Sequence, residues 1–152
     1  MTRVRLLSYS RRHALLTGAA LLLGPLVRRA SATSEFVVIV HPDNAVRELS
    51  RDFLEEVFLK RKTEWEDHQP IKPVDQRSDN PVRERFSERV LGRSVTAVKR
   101  FWQQKIFAGR GVPPPELESD QAIVAYVLEH RGSVGYVSGQ ASLGAAKPVA
   151  VR

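Results

Sequence analysis

The stretch Glu35-Phe36-Val37-Val38-Ile39-Val40 constrains the fold more than any other part of the chain. It is a short, nearly continuous apolar run rich in β-branched residues, the pattern of a strand buried on both faces. Such strands lie in parallel or mixed sheets covered by helices. Pro42-Asp43-Asn44 ends the run, and Ser50 then caps a helix with Phe53, Leu54, Val57 and Phe58 on one face. A polar loop, Lys60–Gln69, carries Trp65, which reads as a core anchor before a ligand contact. Pro70-Ile71-Lys72-Pro73-Val74 is a second strand, and its two prolines place it at an edge or a strand terminus. Asn80-Pro81 starts a helix with Val82, Phe86 and Val90 inward, ended by Gly92. Ser94 caps the next, with Val95, Val98, Trp102 and Ile106 on its buried face. Gly109–Pro115, with three consecutive prolines, forbids helix and ladder alike. Ser119 opens a last helix (Ile123, Val124, Val127, Leu128) with Gly132 as its C′ residue, and strands 134–137 and 148–151 finish the chain. The order β-α-β-α-α-α-β-β predicts an α/β fold with a small central mixed sheet flanked by helices.

Residues 1–32 are an address and not part of this fold. They hold a basic start, the apolar run Ala14–Val27 and the small-residue end Ala30-Ser31-Ala32, which predicts export and cleavage after Ala32. As a helix, that run would span roughly 21 Å at ~1.5 Å per residue, short of the ~30 Å hydrocarbon core, which argues against an uncleaved anchor. Ser10-Arg11-Arg12-His13-Ala14-Leu15-Leu16 resembles the twin-arginine export motif, although His13 and Ala14 depart from its usual pattern, and the general secretory route stays open. The expectation is a soluble periplasmic domain over residues 33–152.

The same segment explains the charge. The whole chain carries a formal +7, but residues 1–32 contain six arginines and no acid, leaving 18 Lys+Arg against 17 Asp+Glu in the remainder. A basic nucleic-acid surface is therefore not expected of the domain. The absence of cysteine excludes a disulfide framework, a thiol nucleophile and Cys-ligated metals. His13, His41, His68 and His130 form no metal-ligand spacing. In Gly135-Tyr136-Val137-Ser138-Gly139 the serine stands one position late for a nucleophile elbow, and no histidine follows it. Gly109-Arg110-Gly111 lacks the third glycine of a dinucleotide fingerprint. Glu64, Glu66 and Asp67 beside Trp65 read as a solvated loop rather than a glycosidase pair. No enzyme, cofactor or metal is expected.

One constellation has a physical use. Asp75-Gln76-Arg77-Ser78-Asp79-Asn80-Pro81-Val82-Arg83 runs from a strand end into a helix start, where unpaired N–H groups and the positive end of the dipole favour an anion. Arg77 and Arg83 supply fork-shaped donors, and Ser78 a neutral one. The same residues also serve a plain helix start, with Asn80 as cap, Ser78 in a turn, and Asp75 or Asp79 paired with the arginines. Residue types alone leave both readings open.

Five stretches in order resemble the phosphate-type periplasmic solute-binding proteins of ABC transporters, with their type II, two-lobed fold. They are Val37–Pro42, Leu49–Lys60 with Trp65 after it, Pro73–Ser78, Arg83-Glu84-Arg85-Phe86, and Gly132–Val137. The resemblance covers nearly all of residues 33–152 and implies a single lobe of that fold. It also implies an oxyanion site at Arg77, Ser78, Asn80 and Arg83, in connection with ABC-type uptake. In that family a Ser-Gly-Thr followed by Arg holds the anion at this helix start. Here the segment reads Asp79-Asn80-Pro81-Val82-Arg83: the arginine is kept, a backbone donor becomes a proline without an N–H, and a hydroxyl becomes Val82. Affinity in that fold comes from enclosure between two lobes, so one lobe implies weak binding of phosphate or a similar oxyanion. The alternative is a non-catalytic periplasmic interaction or sensory module that has lost its ligand, with a periplasmic protein or a permease as partner. Phe107 and the loop Ala108–Pro115 offer a contact surface for that reading; a rigid turn between helices is the simpler view of the same loop.

Overall fold

A computed structural model describes residues 35–152, so the expected export segment and its cleavage point lie outside the described residues. Eleven elements follow one another: β1 (Phe36–Val40), β2 (Glu48–Leu49), α1 (Arg51–Phe58), β3 (Lys72–Pro73), β4 (Asp75–Gln76), α2 (Pro81–Arg89), α3 (Val95–Phe107), β5 (Glu116–Leu117), α4 (Asp120–Glu129), β6 (Ser133–Ser138) and β7 (Lys147–Val151). The architecture is α/β, as the apolar run at 35–40 predicts. A five-stranded mixed sheet has the order β2-β7-β1-β6-β3, and a separate parallel pair joins β4 to β5.

β1 sits at the centre, antiparallel to β6 (Val38 opposite Tyr136) and to β7 (Val38 opposite Val149). Its side chains alternate between two cores, as strand geometry requires. Val38 and Val40 join Tyr136 and Val149 in a cluster with α1, α2 and α3, whereas Ile39 joins Val137 and Val74 against α4. Helices thus cover both faces, which is why the run carries no polar residue after Glu35. Gly135 lets α4 approach the sheet closely, because a Cβ there would stand 2.8 Å from Val74 Cγ1 and 2.9 Å from Ile123 Cγ2.

All four helix starts are capped as the sequence suggests. Ser50 Oγ accepts from Phe53 N, Asn80 Oδ1 from Val82 N, Ser94 Oγ from Ala97 N and Ser119 Oγ from Ala122 N. Trp65 is buried, stacks on Phe53 with ring centroids 5.5 Å apart, and donates its Nε1–H to the Gly132 carbonyl at 2.9 Å. It anchors the loop from inside.

Three expectations need correction. The strand expected over Pro70–Val74 shrinks to Lys72–Pro73 at the edge of the main sheet, paired in parallel with β6. Pro73 has no N–H to extend the ladder. The chain then turns off the sheet, and Asp75–Gln76 pairs with Glu116–Leu117 instead. Ile106, expected on the buried face of α3, is half exposed, because that face runs past the core after Trp102. Gly132 takes φ +77 as a turn glycine, but α4 ends at a His130 cap, one residue earlier than expected.

Candidate functional site

The parallel pairing of β4 with β5 organises the site. Gln76 is level with Leu117, α2 begins at Pro81 and α4 at Asp120, so both helices start just beyond the carboxyl ends of paired strands. Carboxyl ends of strands facing helix N-termini are the usual place for a ligand in open α/β sheets. The two starts are tied together by Gln76, whose Nε2 donates to Asp120 Oδ1 at 2.7 Å and to the Tyr136 carbonyl at 3.2 Å. Asn80 Nδ2 donates to Gln76 Oε1 at 3.0 Å while its own Oδ1 caps α2.

Beneath this rim lies a buried ionic cluster. Arg83, on the inner face of α2 and only 2% exposed, pairs with the equally buried Asp75 through Nη1 and Oδ2. The Tyr136 hydroxyl donates to Asp75 Oδ1, and the Gln76 N–H reaches the same oxygen at 3.0 Å. Burial pushes the Tyr136 phenol well above its ordinary range, so it stays protonated and acts as a donor. Burial also pulls Arg83 below its ordinary value, with the partly opposing fields of its neighbours keeping the fall in check. The phenol ring lies flat on Phe86, with centroids 3.7 Å apart. Arg83 Nε and Ser87 Oγ, one helical turn apart, are buried without a hydrogen-bond partner.

The four expected site residues therefore share one short segment but face different surroundings. Arg77 is half exposed; its Nε and Nη2 donate to Asp79 at 3.2 and 2.7 Å, and Nη1 lies 3.6 Å from Glu118. The hydrogen bond from Arg77 holds the Asp79 carboxyl below its usual range, and Asp79 in turn raises Arg77. Ser78 is half-buried in the turn closed by Asn80 N–H donating to the Arg77 carbonyl at 3.0 Å. Asn80 caps α2. Arg83 points into the core instead of the rim, in the Asp75 pairing that the sequence left open as one of two readings. Of the four expected residues Arg77 is thus the most exposed, with two still more exposed carboxylates, Asp79 and Glu118, already beside it.

Gln76, Asp120, Tyr136 and Ser138 belong to the cluster; none is expected there from the sequence, where Ser138 stands out only as a misplaced nucleophile. Asp120 accepts from Ser138 N–H at 3.1 Å and from Ser138 Oγ–H at 2.6 Å, so the start of α4 already holds a carboxylate of its own. An acidic first-turn residue was visible at Asp120, but its partner lies 18 positions on and no local pattern joins them.

The larger groove, about 490 Å³, opens at the opposite end of the sheet, beyond Val40 and before β6, and is lined by Phe53, Trp65, His41, Arg131 and Arg152 among others. Its arginines are matched internally, Arg131 to Asp43 at 2.9 Å and Arg152 to Glu48 at 3.1 Å. Glu66 and Asp67 on its wall form no ion pair among the described residues, so the charge it leaves uncompensated is negative and does not suit an anion. Among the described residues no cluster of His, Asp and Glu has metal-holding geometry, and no helix is long and apolar enough to cross a membrane.

This arrangement is the lobe fold of phosphate-type ABC-transporter substrate-binding proteins. Solved structures with this fold include an ABC-type phosphate transport receptor from Vibrio cholerae (TM-score 0.60, 18% identity, 77% of this chain and 46% of that one). Another, from Clostridium perfringens, is described as a phosphate ABC transporter substrate-binding protein with bound phosphate (TM-score 0.61, 19% identity, 77% and 44%). A third is PstS from Borrelia burgdorferi (TM-score 0.58, 10% identity, 78% and 47%). The chain spans less than half the length of these structures. No family model and no curated protein matches the sequence.

Proposed function

We propose that residues 33–152 are a single-lobe, non-enzymatic solute-binding domain that acts outside the inner membrane in connection with ABC-type uptake. The N-terminal pattern supports export, with cleavage after Ala32. The ligand is phosphate or a similar small oxyanion, taken at the rim where α2 and α4 begin. Arg77 and Ser78 provide the contacts, Asn80 fixes the helix start, and Arg83 holds the floor through Asp75. The observation that carries this reading is the convergence of two capped helix N-termini at the carboxyl ends of β4 and β5, in a fold shared with a phosphate-bound structure. Binding is weak, because Asp79 and Glu118 compete for Arg77.

Thermal melts with phosphate, sulfate, molybdate and carboxylates, each against sodium chloride of equal ionic strength, test the proposal. At ten times Kd a native-state ligand adds about 1.4 kcal/mol, enough to raise Tm by several degrees. A rise confined to tetrahedral oxyanions and lost in Arg77→Ala supports it. Equal small shifts for every salt refute it. A second reading, an interaction or sensory module that no longer binds solute, is favoured by one observation: Arg83 is sealed in the core by Asp75. That reading expects the equal shifts.

A further inference from the structure

The end of α3 and the turn after it take no part in the site above. From Arg89 to Pro115 the sequence holds six cations (Arg89, Arg93, Lys99, Arg100, Lys105, Arg110) and no acid. The rest of residues 35–152 holds 12 Lys+Arg against 17 Asp+Glu. A domain that is nearly neutral as a whole is therefore polarised, cationic along one segment and anionic elsewhere. Arg89 and Arg93 lie 3.7 and 3.9 Å from Glu35 and Glu55. Lys99, Arg100, Lys105 and Arg110 form no ion pair among the described residues, and Lys105 Nζ instead sits 5.5 Å from the Phe101 ring centroid.

At the end of this segment three large apolar side chains stand in water: Ile106 is 50%, Phe107 91% and Val112 63% exposed. Between them Gly109 and Gly111 take φ +65 and +133, and a Cβ added at either would meet nothing within 4 Å. The turn is thus a projecting tip, and these three side chains do not line the groove beside Phe53 and Trp65.

We propose that this tip docks on an anionic lipid surface, with Phe107, Ile106 and Val112 entering the headgroup region and Lys105, Arg110 and Arg100 meeting lipid phosphates. Charge complementarity selects this occupant. Cations flanking a few protruding apolar residues are the pattern of interfacial membrane contact. The anionic remainder of the domain is repelled by the same surface, so the orientation is set with the tip downward. A convex tip needs no matching pocket on a fluid interface, whereas a protein partner must supply one. The inference is independent of the oxyanion reading, since the site residues and the tip residues do not overlap.

The sequence has no cysteine, so a single introduced one is labelled uniquely in the full chain. An environment-sensitive fluorophore at Val112→Cys is compared with the same label at Glu129→Cys, on α4 and against the other core. The probes are mixed phosphatidylglycerol–phosphatidylcholine vesicles, pure phosphatidylcholine vesicles and polyglutamate. The expected result is a blue shift at position 112 with anionic vesicles alone, lost at high salt and reduced at least tenfold in apparent affinity by Lys105→Glu/Arg110→Glu. Position 129 stays unshifted. Absence of a shift at 112 overturns the proposal. So does an equal shift at 129 or on pure phosphatidylcholine, because either means the apolar N-terminal run carries the whole chain to the vesicle. A shift with polyglutamate and none with vesicles overturns it in favour of an acidic protein partner.

Discussion

Replacing Arg83 with methionine removes the cation of the buried pair and leaves Asp75 in place. Both side chains are at most 4% exposed, so water does not take over the lost contact. Breaking a buried pair from one side typically costs about 3–5 kcal/mol, because the partner charge stays desolvated. Asp75 keeps two donors, the Tyr136 hydroxyl and the Gln76 N–H, which places the expected loss near the lower end, about 3 kcal/mol. A domain of this size has roughly 6–18 kcal/mol in total, so the variant still folds and is measurable. Urea unfolding followed by far-ultraviolet circular dichroism should show a lower midpoint with an unchanged slope. The double variant Asp75→Asn/Arg83→Met should recover most of the loss, since the amide removes the stranded charge while its Oδ1 still accepts from Tyr136 and Gln76. A loss in Arg83→Met below about 1 kcal/mol, the level of exposed pairs, would refute the reasoning and make Arg83 available to a ligand. Failure of the double variant to recover would show that the stranded Asp75 charge is not the cause.

Three further outcomes are expected. Asn80→Ala should cost about 1 kcal/mol in urea unfolding by uncapping α2, and more if Gln76 Oε1 finds no replacement donor. Gly135→Ala should cost about 1–3 kcal/mol, read by the same titration, because Val74 and Ile123 belong to the packed core and must give way. The Tyr136 phenol is raised by burial, so above its ordinary pKa of about 10 the unfolded chain releases a proton that the native state keeps. Stability from this group is complete below pH ~10 and falls as pH rises beyond it. Wild type should therefore lose midpoint faster than Tyr136→Phe in that range, and parallel curves would contradict the assignment.

Local chemistry was readable, and distant pairing was not. The four caps Ser50, Asn80, Ser94 and Ser119 are set by residues within three positions, so the sequence shows them directly. The β1 run is legible because burial on both faces leaves an unbroken apolar stretch. Two-residue strands such as Glu48–Leu49 and Glu116–Leu117 have no periodicity to detect, and their existence depends on partners 102 and 41 positions away in register. At the site, the types and segment were visible, but the side-chain directions were not. Arg77 and Arg83 look equivalent in sequence; only the helix phase and the position of Tyr136, 53 residues later, turn Arg83 inward.

The position of β1 has a consequence for how the chain reaches its native state. Its two sheet neighbours, β6 and β7, come last in order among the described strands, and both central ladders join residues about a hundred positions apart. Loop closure on that scale is slow compared with forming local helices. The helices can form while Val38, Ile39 and Val40 still lack neighbours, and the chain exposes an adhesive strand until β6 and β7 have folded back onto β1. The closing of these two ladders is thus the step at which the chain loses its most aggregation-prone strand.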